Sequence, residues 1–245
     1  MAKTTKKKTK AKSSPKKTRK SFRPIRFLGF ILLRTTTIFV GVVTLLIFLF
    51  AFINPPITHT MWSERARLGE IDRQWVPIEE IAPVMARSVV AAEDARFCQH
   101  WGFDVEAIRD AIQAGANRGA STISQQVVKN VFLWQGRSWF RKALETIITP
   151  AVEAVWSKRR ILEVYLNVAE MGEGLFGVDA AAHHYFRVDP DKLSARQAAL
   201  IAAVLPAPQV RSAARPTTAL QRRAAQIQDG AATIRADGRS ACFED

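Results

Sequence analysis

The chain has 245 residues, of which 48% are apolar, and this indicates a globular protein with one or two domains. Nearly all of its formal net charge of +14 comes from residues 1–34, which hold 13 Lys and Arg and no acid. Two cysteines, Cys98 and Cys242, exclude a disulfide framework and a Cys-based metal site but leave one disulfide open, and the four histidines lack the spacing of a helical zinc site.

An uncharged apolar run, Thr35–Ile53, follows the basic tail directly. As a helix it would extend about 28 Å, close to the roughly 30 Å hydrocarbon core of a bilayer, and residues 27–33 can lengthen it. A membrane anchor therefore explains the tail better than a nucleic-acid-binding arm does. The basic residues before the run predict a cytoplasmic N-terminus. We predict an uncleaved anchor rather than a signal peptide, because the run is long and no small-residue cleavage site follows it.

Beyond Asn54, helical periodicity interrupted by Gly and Pro predicts a mainly α domain of about 180 residues. Residues 79–97 form the first amphipathic pattern, with Glu93 at the margin of the apolar stripe and Asp94 pointing away from it. A carboxylate beside apolar packing has a raised pKa, which suits a general acid or base. Solvated acids at helix ends are nevertheless the commoner case.

A capping box of Thr122 and Gln125 predicts the start of another helix. Gln126 and Lys129 share an arc of its surface with these two residues. The arc is either a solvated face or a strip of donors and one cation laid against a sugar or phosphate, with the positive end of the helix dipole adding to the attraction.

Three charged residues, Arg137, Arg141 and Glu145, recur at intervals of four along a helix predicted to begin near Ser138. An exposed ion-pair ladder is the simplest interpretation. Aromatic residues interleaved with the cations favour a surface in the lipid headgroup region instead. They are Trp134, Trp139 and Phe140.

The next segment contains Pro150, which predicts a break or kink, and Ser157 as an N-cap. Lys158, Arg159 and Arg160 would then crowd the positive end of a helix dipole, which is unfavourable unless neighbouring acids compensate. Later, a capping box of Ser194 and Gln197 belongs to the scaffold, and residues 217–245 are polar and helical at best.

Four strings, AAEDARFCQHWGFD, GASTISQQVVKN, RKALE and KRRILEVYLN, occur in this order and spacing. Together they resemble the glycosyltransferase family 51 domain of peptidoglycan synthesis over Val76–Gln209. One anchor and a short chain resemble the monofunctional biosynthetic transglycosylase branch, and the roughly 35 residues after Pro208 predict no transpeptidase domain. The sequence departs from the family pattern at Gln197, where Glu is common, and at Arg187, where Lys is common. Both positions lie in the predicted scaffold.

The resemblance implies a lysozyme-like helical fold that polymerises lipid II, the undecaprenyl-diphosphate-linked disaccharide pentapeptide. Glu93 matches the catalytic general base, and Glu145 the second essential carboxylate, associated with a divalent metal or with organising the diphosphate site. The other matched residues are substrate-binding. They comprise the companion acid Asp94, the cleft residues Ser121, Gln125 and Gln126, the phosphate-contacting Lys129 and Arg137, and the assisting Arg141.

The resemblance also implies lipid II, the growing glycan chain and membrane lipid as partners, allows other cell-wall synthesis or division proteins, and implies no nucleic acid. It allows a divalent cation, Mg²⁺ or Mn²⁺, as a cofactor. It implies that no organic cofactor is needed. The expected location is the bacterial inner membrane, crossed once, with the catalytic domain in the periplasm. The predicted organisation is a basic tail at 1–26, the anchor at 27–53, a linker at 54–75, the catalytic domain at 76–209 and a polar segment at 210–245.

Two other functions fit parts of the sequence. A lytic or lysozyme-like glycosidase would also use a glutamate in a helical cleft, but it has no diphosphate to neutralise, so the cations beside the acids favour transfer. A catalytically dead, membrane-anchored scaffold would not need both acids and all the cations.

Overall fold

The computed structural model describes residues 24–113, 115, 121–136 and 138–244. The chain divides into two units, residues 1–42 and 43–245. Helix α1 (Pro24–Phe50) begins in the first unit and ends in the second. Among the described helices, its segment Phe27–Phe50 alone is long and apolar enough to cross a bilayer, with a mean hydropathy of 2.2. Most of the predicted basic tail lies outside the described residues.

The second unit is built mainly of helices, which confirms the predicted fold class. The helices are α2 (His59–Leu68), α3 (Pro83–Glu93), α4 (Val105–Gln113), α5 (Ile123–Phe132), α6 (Trp139–Val155), α7 (Lys158–Val168), α8 (Gly177–Phe186), α9 (Ala195–Val204) and α10 (Thr218–Ala236). Three short strands, β1 (Asp72–Arg73), β2 (Glu170–Gly172) and β3 (Leu175–Phe176), pair in the order β1-β3-β2. Strand β3 runs parallel to β1 and antiparallel to β2.

Two groups of helices surround the core and place the ends of α3 and α5 side by side. Helices α3, α9 and α10 pack against one another, and α5 packs between α6 and α7. The fully buried side chains of this core include Met85, Phe97, Ile123 and Tyr165. The C-terminus of α3 and the N-terminus of α5 are therefore held by separate parts of one core.

The helix caps agree with the sequence at four positions, where Thr122, Ser138, Ser157 and Ser194 each accept a hydrogen bond from a backbone N–H of the first turn. One prediction about helix bounds is wrong. The helix predicted over 79–97 begins at Pro83, which occupies the first helical turn and keeps the preceding Ala82 extended, and it ends at Glu93. Pro150 lies inside α6, which continues to Val155, so the predicted break does not occur and the alternative of a kink stays a prediction.

The basic run at the start of α7 has the compensation that its position requires. Lys158 pairs with buried Glu153 at 2.8 Å, and Arg159 pairs with Glu79 at 2.6 Å. Arg160 donates to the backbone oxygens of Phe50 and Ile53. These oxygens lie at the C-terminal end of α1, where carbonyls lack helical partners. The three cations thus neutralise acids and cap a helix instead of repelling the α7 dipole.

The C-terminal part of the chain has an apolar face that the sequence interpretation did not identify. Along α10 the buried positions recur at helical spacing, and they are Leu220, Ala224, Ile227, Ala231 and Ile234. Beyond α10, Phe243 is buried, and Cys242 forms a disulfide with Cys98, 144 residues earlier. The sequence left open whether the two cysteines pair, and in the structure they do.

Candidate active site

A cleft of about 480 Å³ opens where α3 ends and α5 begins. Its lining includes Glu93 and Asp94 from the end of α3, Asp104 and Asp110 near α4, and Ser121 and Thr122 before α5. Several predicted site residues from separate sequence strings therefore meet at one opening.

Glu93 is the last residue of α3 and lies half-buried in this cleft. Its Oε2 accepts a hydrogen bond of 2.7 Å from Nε2 of Gln126. Burial raises the pKa of Glu93, while the Gln126 hydrogen bond and the charges of Arg223 and Lys129 oppose the rise. A carboxylate in this setting is more basic than a solvated one, as a proton acceptor near neutral pH requires.

Gln126 is held in the orientation that serves Glu93. The hydroxyl of Tyr165 donates to Oε1 of Gln126 at 3.4 Å, which leaves the amide nitrogen directed at the carboxylate. Burial raises the pKa of Tyr165 well above its usual value, so this phenol keeps its proton. The three groups form a chain from the buried core to the cleft.

Asp94 is turned into the protein, and its side chain is 1% exposed. Its Oδ2 accepts from the backbone N–H of Ile123 at 3.0 Å, and its Oδ1 lies 2.8 Å from Nε2 of His100. The Ile123 N–H is one of the unpaired donors at the start of α5. Asp94 therefore joins the end of α3 to the start of α5, and its contact with substrate stays a prediction.

The capping box places the remaining polar residues of the strip. Thr122 accepts from the Gln125 N–H, and Oε1 of Gln125 accepts from the Thr122 N–H. Thr122 also donates to the carbonyl of Gly102 at 2.7 Å. Gln125 is buried and Ser121 is exposed at the mouth of the cleft. The predicted contacts of Gln125 and Ser121 with substrate stay predictions.

Lys129 lies one turn after Gln126 on α5 and is half-buried. Burial and the nearby charges of Arg141 and Lys142 lower its pKa, whereas Glu145 and Glu93 raise it. Among the described residues, no hydrogen bond or salt bridge engages its ammonium group. Partial burial of a cation is costly for the fold, which is typical of a ligand-binding position.

Glu145 is buried beneath two cations of its own helix. Its Oε2 accepts from Arg141 at 2.7 Å, and its Oε1 pairs with Lys142. Lys142 also donates to Ser121 at 3.4 Å, which connects this cluster to the cleft. Arg137, the remaining predicted phosphate contact, lies outside the described residues.

The surroundings of Glu145 do not suit a metal ligand. Both of its carboxylate oxygens are occupied by cations, and its side chain is 4% exposed. Within the described ranges, one group of three, Asp94, His100 and Asp104, brings potential ligand atoms within 4.8 Å of one another. Asp94 and Asp104 already bind protein groups there. The divalent-cation requirement stays a prediction.

Two site residues were missed by the sequence interpretation. Arg223 on α10 donates to the carbonyl of Ala92 at 3.1 Å and contributes positive charge at Glu93. Lys142 is the second partner of Glu145. The helical spacing of apolar residues along α10 could have indicated that this segment packs on the domain, but no local pattern marks Arg223 itself.

The transglycosylase family model matches residues 61–231 of this chain. The match extends past the predicted bounds 76–209 at both ends, and those bounds stay a prediction. A biosynthetic peptidoglycan transglycosylase of Jannaschia sp. (strain CCS1) is 64% identical over 194 residues, covering 79% of this chain and 81% of that relative. The Rhodospirillum centenum protein of the same name is 46% identical, covering 88% of this chain and 96% of the relative. A protein of the same name from Pseudomonas fluorescens is 49% identical, covering 79% of this chain and 85% of the relative.

Proposed function

Because this chain belongs to the transglycosylase family and is a peptidoglycan glycosyltransferase, we propose that it polymerises lipid II with Glu93 as the general base. The substrates are lipid II and the growing glycan chain. The observation that carries the proposal is the half-buried Glu93 carboxylate with its raised pKa, set in a cleft beside the half-buried cation Lys129.

The reaction is a single displacement at C1 of the donor sugar. The 4-hydroxyl oxygen of the acceptor sugar attacks C1 and forms the new glycosidic bond, while its proton passes to the Glu93 carboxylate. The bond from C1 to the diphosphate oxygen breaks on the opposite face, and the lipid diphosphate leaves with the electron pair. Inversion converts the α-linked donor into a β-1,4-linked product.

Departure of the diphosphate develops negative charge, which cations already in place stabilise. We assign this role to Lys129, with Arg141 and Lys142 supporting it and Arg137 a further predicted contact. Glu145 holds Arg141 and Lys142 in fixed positions through its two oxygens. This arrangement supports an organising role for Glu145, and no step passes through a metal at this residue.

Incubation of the detergent-solubilised full chain with labelled lipid II, and separately with preformed glycan, tests the reaction class. We expect polymer to form from lipid II and the glycan to remain intact. Cleavage of glycan with lipid II untouched would instead support a glycosidase. No turnover of either substrate would support the scaffold interpretation.

We further propose that the N-terminal helix crosses the inner membrane once, with residues 1–26 in the cytoplasm and the catalytic unit in the periplasm. The charge asymmetry about the helix supports this orientation. Exposed Trp139 and Phe140, at 92% and 67%, support contact of their surface with lipid headgroups. Protease added to intact spheroplasts should digest the chain after Asn54 and spare the tail, and digestion of the tail alone would reverse the topology.

A further inference from the structure

The base lies near the start of a stretch, Ala92–His100, that is mostly irregular and that we call the catalytic segment. Helix α3 ends within it at Glu93, and Asp94 adopts an extended φ of −160°. A 3₁₀ turn at Phe97–Gln99 is the only regular element in the rest of the segment. Because the helix has ended, the position of Glu93 depends on what holds the residues around it.

The C-terminal part of the chain, residues 218–244, contacts the catalytic segment at four points, and we call it the C-terminal brace. Arg223 donates to the carbonyl of Ala92 at 3.1 Å, and Arg239 donates to that of Ala95 at 2.9 Å. The Ala92 carbonyl lies in the last turn of α3, where helical partners are missing, and Ala95 lies in the turn that follows the helix. The other two contacts pair Phe243 with Phe97 at 6.4 Å between ring centroids, and Cys242 with Cys98 by the disulfide.

The end of the C-terminal brace is itself fixed to other parts of the domain. Glu244 pairs with Arg87 of α3 at 2.5 Å, and Arg159 of α7 donates to the carbonyl of Phe243 at 2.8 Å. Phe243 is buried, so its ring is part of the core. Cys98 is thus bonded to a segment that cannot move without breaking packing and two charged contacts.

Cys98 is also close to the groups that orient the start of α5. Phe97 contacts His100 edge to face, and His100 binds Asp94, which accepts from the Ile123 N–H. Lys158 lies 4.5 Å above the Phe97 ring. Displacement of Cys98 would therefore disturb both Glu93 and the helix that carries Gln126 and Lys129.

We propose that the C-terminal brace, closed by the Cys98–Cys242 disulfide, is a positioning element for the catalytic segment. Cys98, Cys242 and Arg239 are positioning residues that act through the backbone of this segment on Glu93, and the proposal rests on the assignment of Glu93 as base. A disulfide is stable in the oxidising environment outside the cytoplasm, where the catalytic unit is proposed to work.

The activity test compares three preparations of the full chain in detergent: oxidised wild type, wild type treated with dithiothreitol, and the Cys98→Ser/Cys242→Ser double variant. Dithiothreitol is oxidised to its cyclic disulfide while each cysteine gains one electron and one proton. We expect kcat for lipid II polymerisation to fall about fivefold or more in the last two preparations with KM nearly unchanged, because small displacements of a catalytic group are costly. Dithiothreitol should not affect the double variant.

Hydrogen exchange separates this proposal from the function on which it rests. Amides of residues 92–100 should exchange about tenfold faster after reduction, while amides of α7 should not change. If neither the hydrogen-exchange rates nor kcat changed after reduction, the proposed positioning role of the C-terminal brace would be overturned. A lower melting temperature with kcat and exchange unchanged below the transition would also overturn it, since it would show a purely stabilising disulfide. If the oxidised protein does not polymerise lipid II, the proposed function fails. The hydrogen-exchange rates of residues 92–100 then test the positioning role of the C-terminal brace on their own.

The Arg239→Ala variant tests the same element without altering the cysteines. It removes the donor to the Ala95 carbonyl, and we expect a fall in kcat smaller than that caused by reduction. Arg239→Lys should restore part of the rate. Wild-type kcat in Arg239→Ala, together with wild-type kcat after reduction, would contradict the proposal.

Discussion

The Glu93→Gln variant should polymerise lipid II about 10²- to 10⁴-fold more slowly than the wild type, the usual contribution of a positioned general base. Gln preserves the size of the side chain and its contact with Gln126, but it cannot accept the proton of the acceptor hydroxyl. Initial rates with labelled lipid II, measured at saturating substrate, provide the comparison. Glu173→Gln is the matched control, since Glu173 is an exposed acid paired with Arg67. Equal rates for Glu93→Gln and the wild type would remove Glu93 from the mechanism.

The same assignment fixes the direction of the pH dependence. Burial raises the pKa of Glu93, and only its carboxylate form can act as base. The rate should therefore fall as the pH drops through this raised pKa, so that the acid limb of kcat/KM lies above the usual range of a glutamate. An acid limb at the ordinary glutamate value would contradict the environment described for Glu93.

The Lys129→Met variant should lower the rate of lipid II polymerisation by about 10²- to 10³-fold, the cost of losing one preplaced charge at a developing anion. Its melting temperature should equal or exceed that of the wild type. Burial lowers the pKa of Lys129, which means that the folded state disfavours the charged ammonium, and Met relieves this cost while keeping most of the volume. Loss of activity without loss of stability would identify a residue retained for function.

Lys192→Ala serves as the control for Lys129→Met, because Lys192 is an exposed cation paired with Asp191. It should change neither rate nor melting temperature. Lys129→Arg keeps the charge with a different shape and should be intermediate in rate. Full activity in Lys129→Met would exclude the diphosphate role, and a sharp fall in its melting temperature would indicate a structural one.

Local features of the fold were predictable because they depend on neighbouring residues. The capping serines and threonines satisfy donors three residues away, so the sequence alone locates the starts of α5, α6, α7 and α9. The end of α3 was not predictable in this way. Asp94 leaves the helix to bind Ile123, 29 residues later, and helical periodicity contains no information about such a partner.

The residues of the candidate site were likewise predictable only in part. Glu93 belongs to one string and Gln126 and Lys129 to another, and the resemblance grouped them before the structure placed them together. Arg223 and Cys242, the partner of Cys98, come from the C-terminal segment, which looked merely polar because its buried positions are mostly alanine and isoleucine within a polar sequence. Contacts across more than a hundred residues required the three-dimensional arrangement.

The paired cations above Glu145 also bear on how the enzyme finishes each cycle. In the proposed mechanism, Arg141, Lys142 and Lys129 would attract the diphosphate both while its bond breaks and after it has broken. The single buried carboxylate reduces the attraction that remains for the departed group. A cluster of the same cations without Glu145 would bind its own product more tightly and empty more slowly. In this mechanism, Glu145 would set a balance between stabilising the leaving group and releasing it.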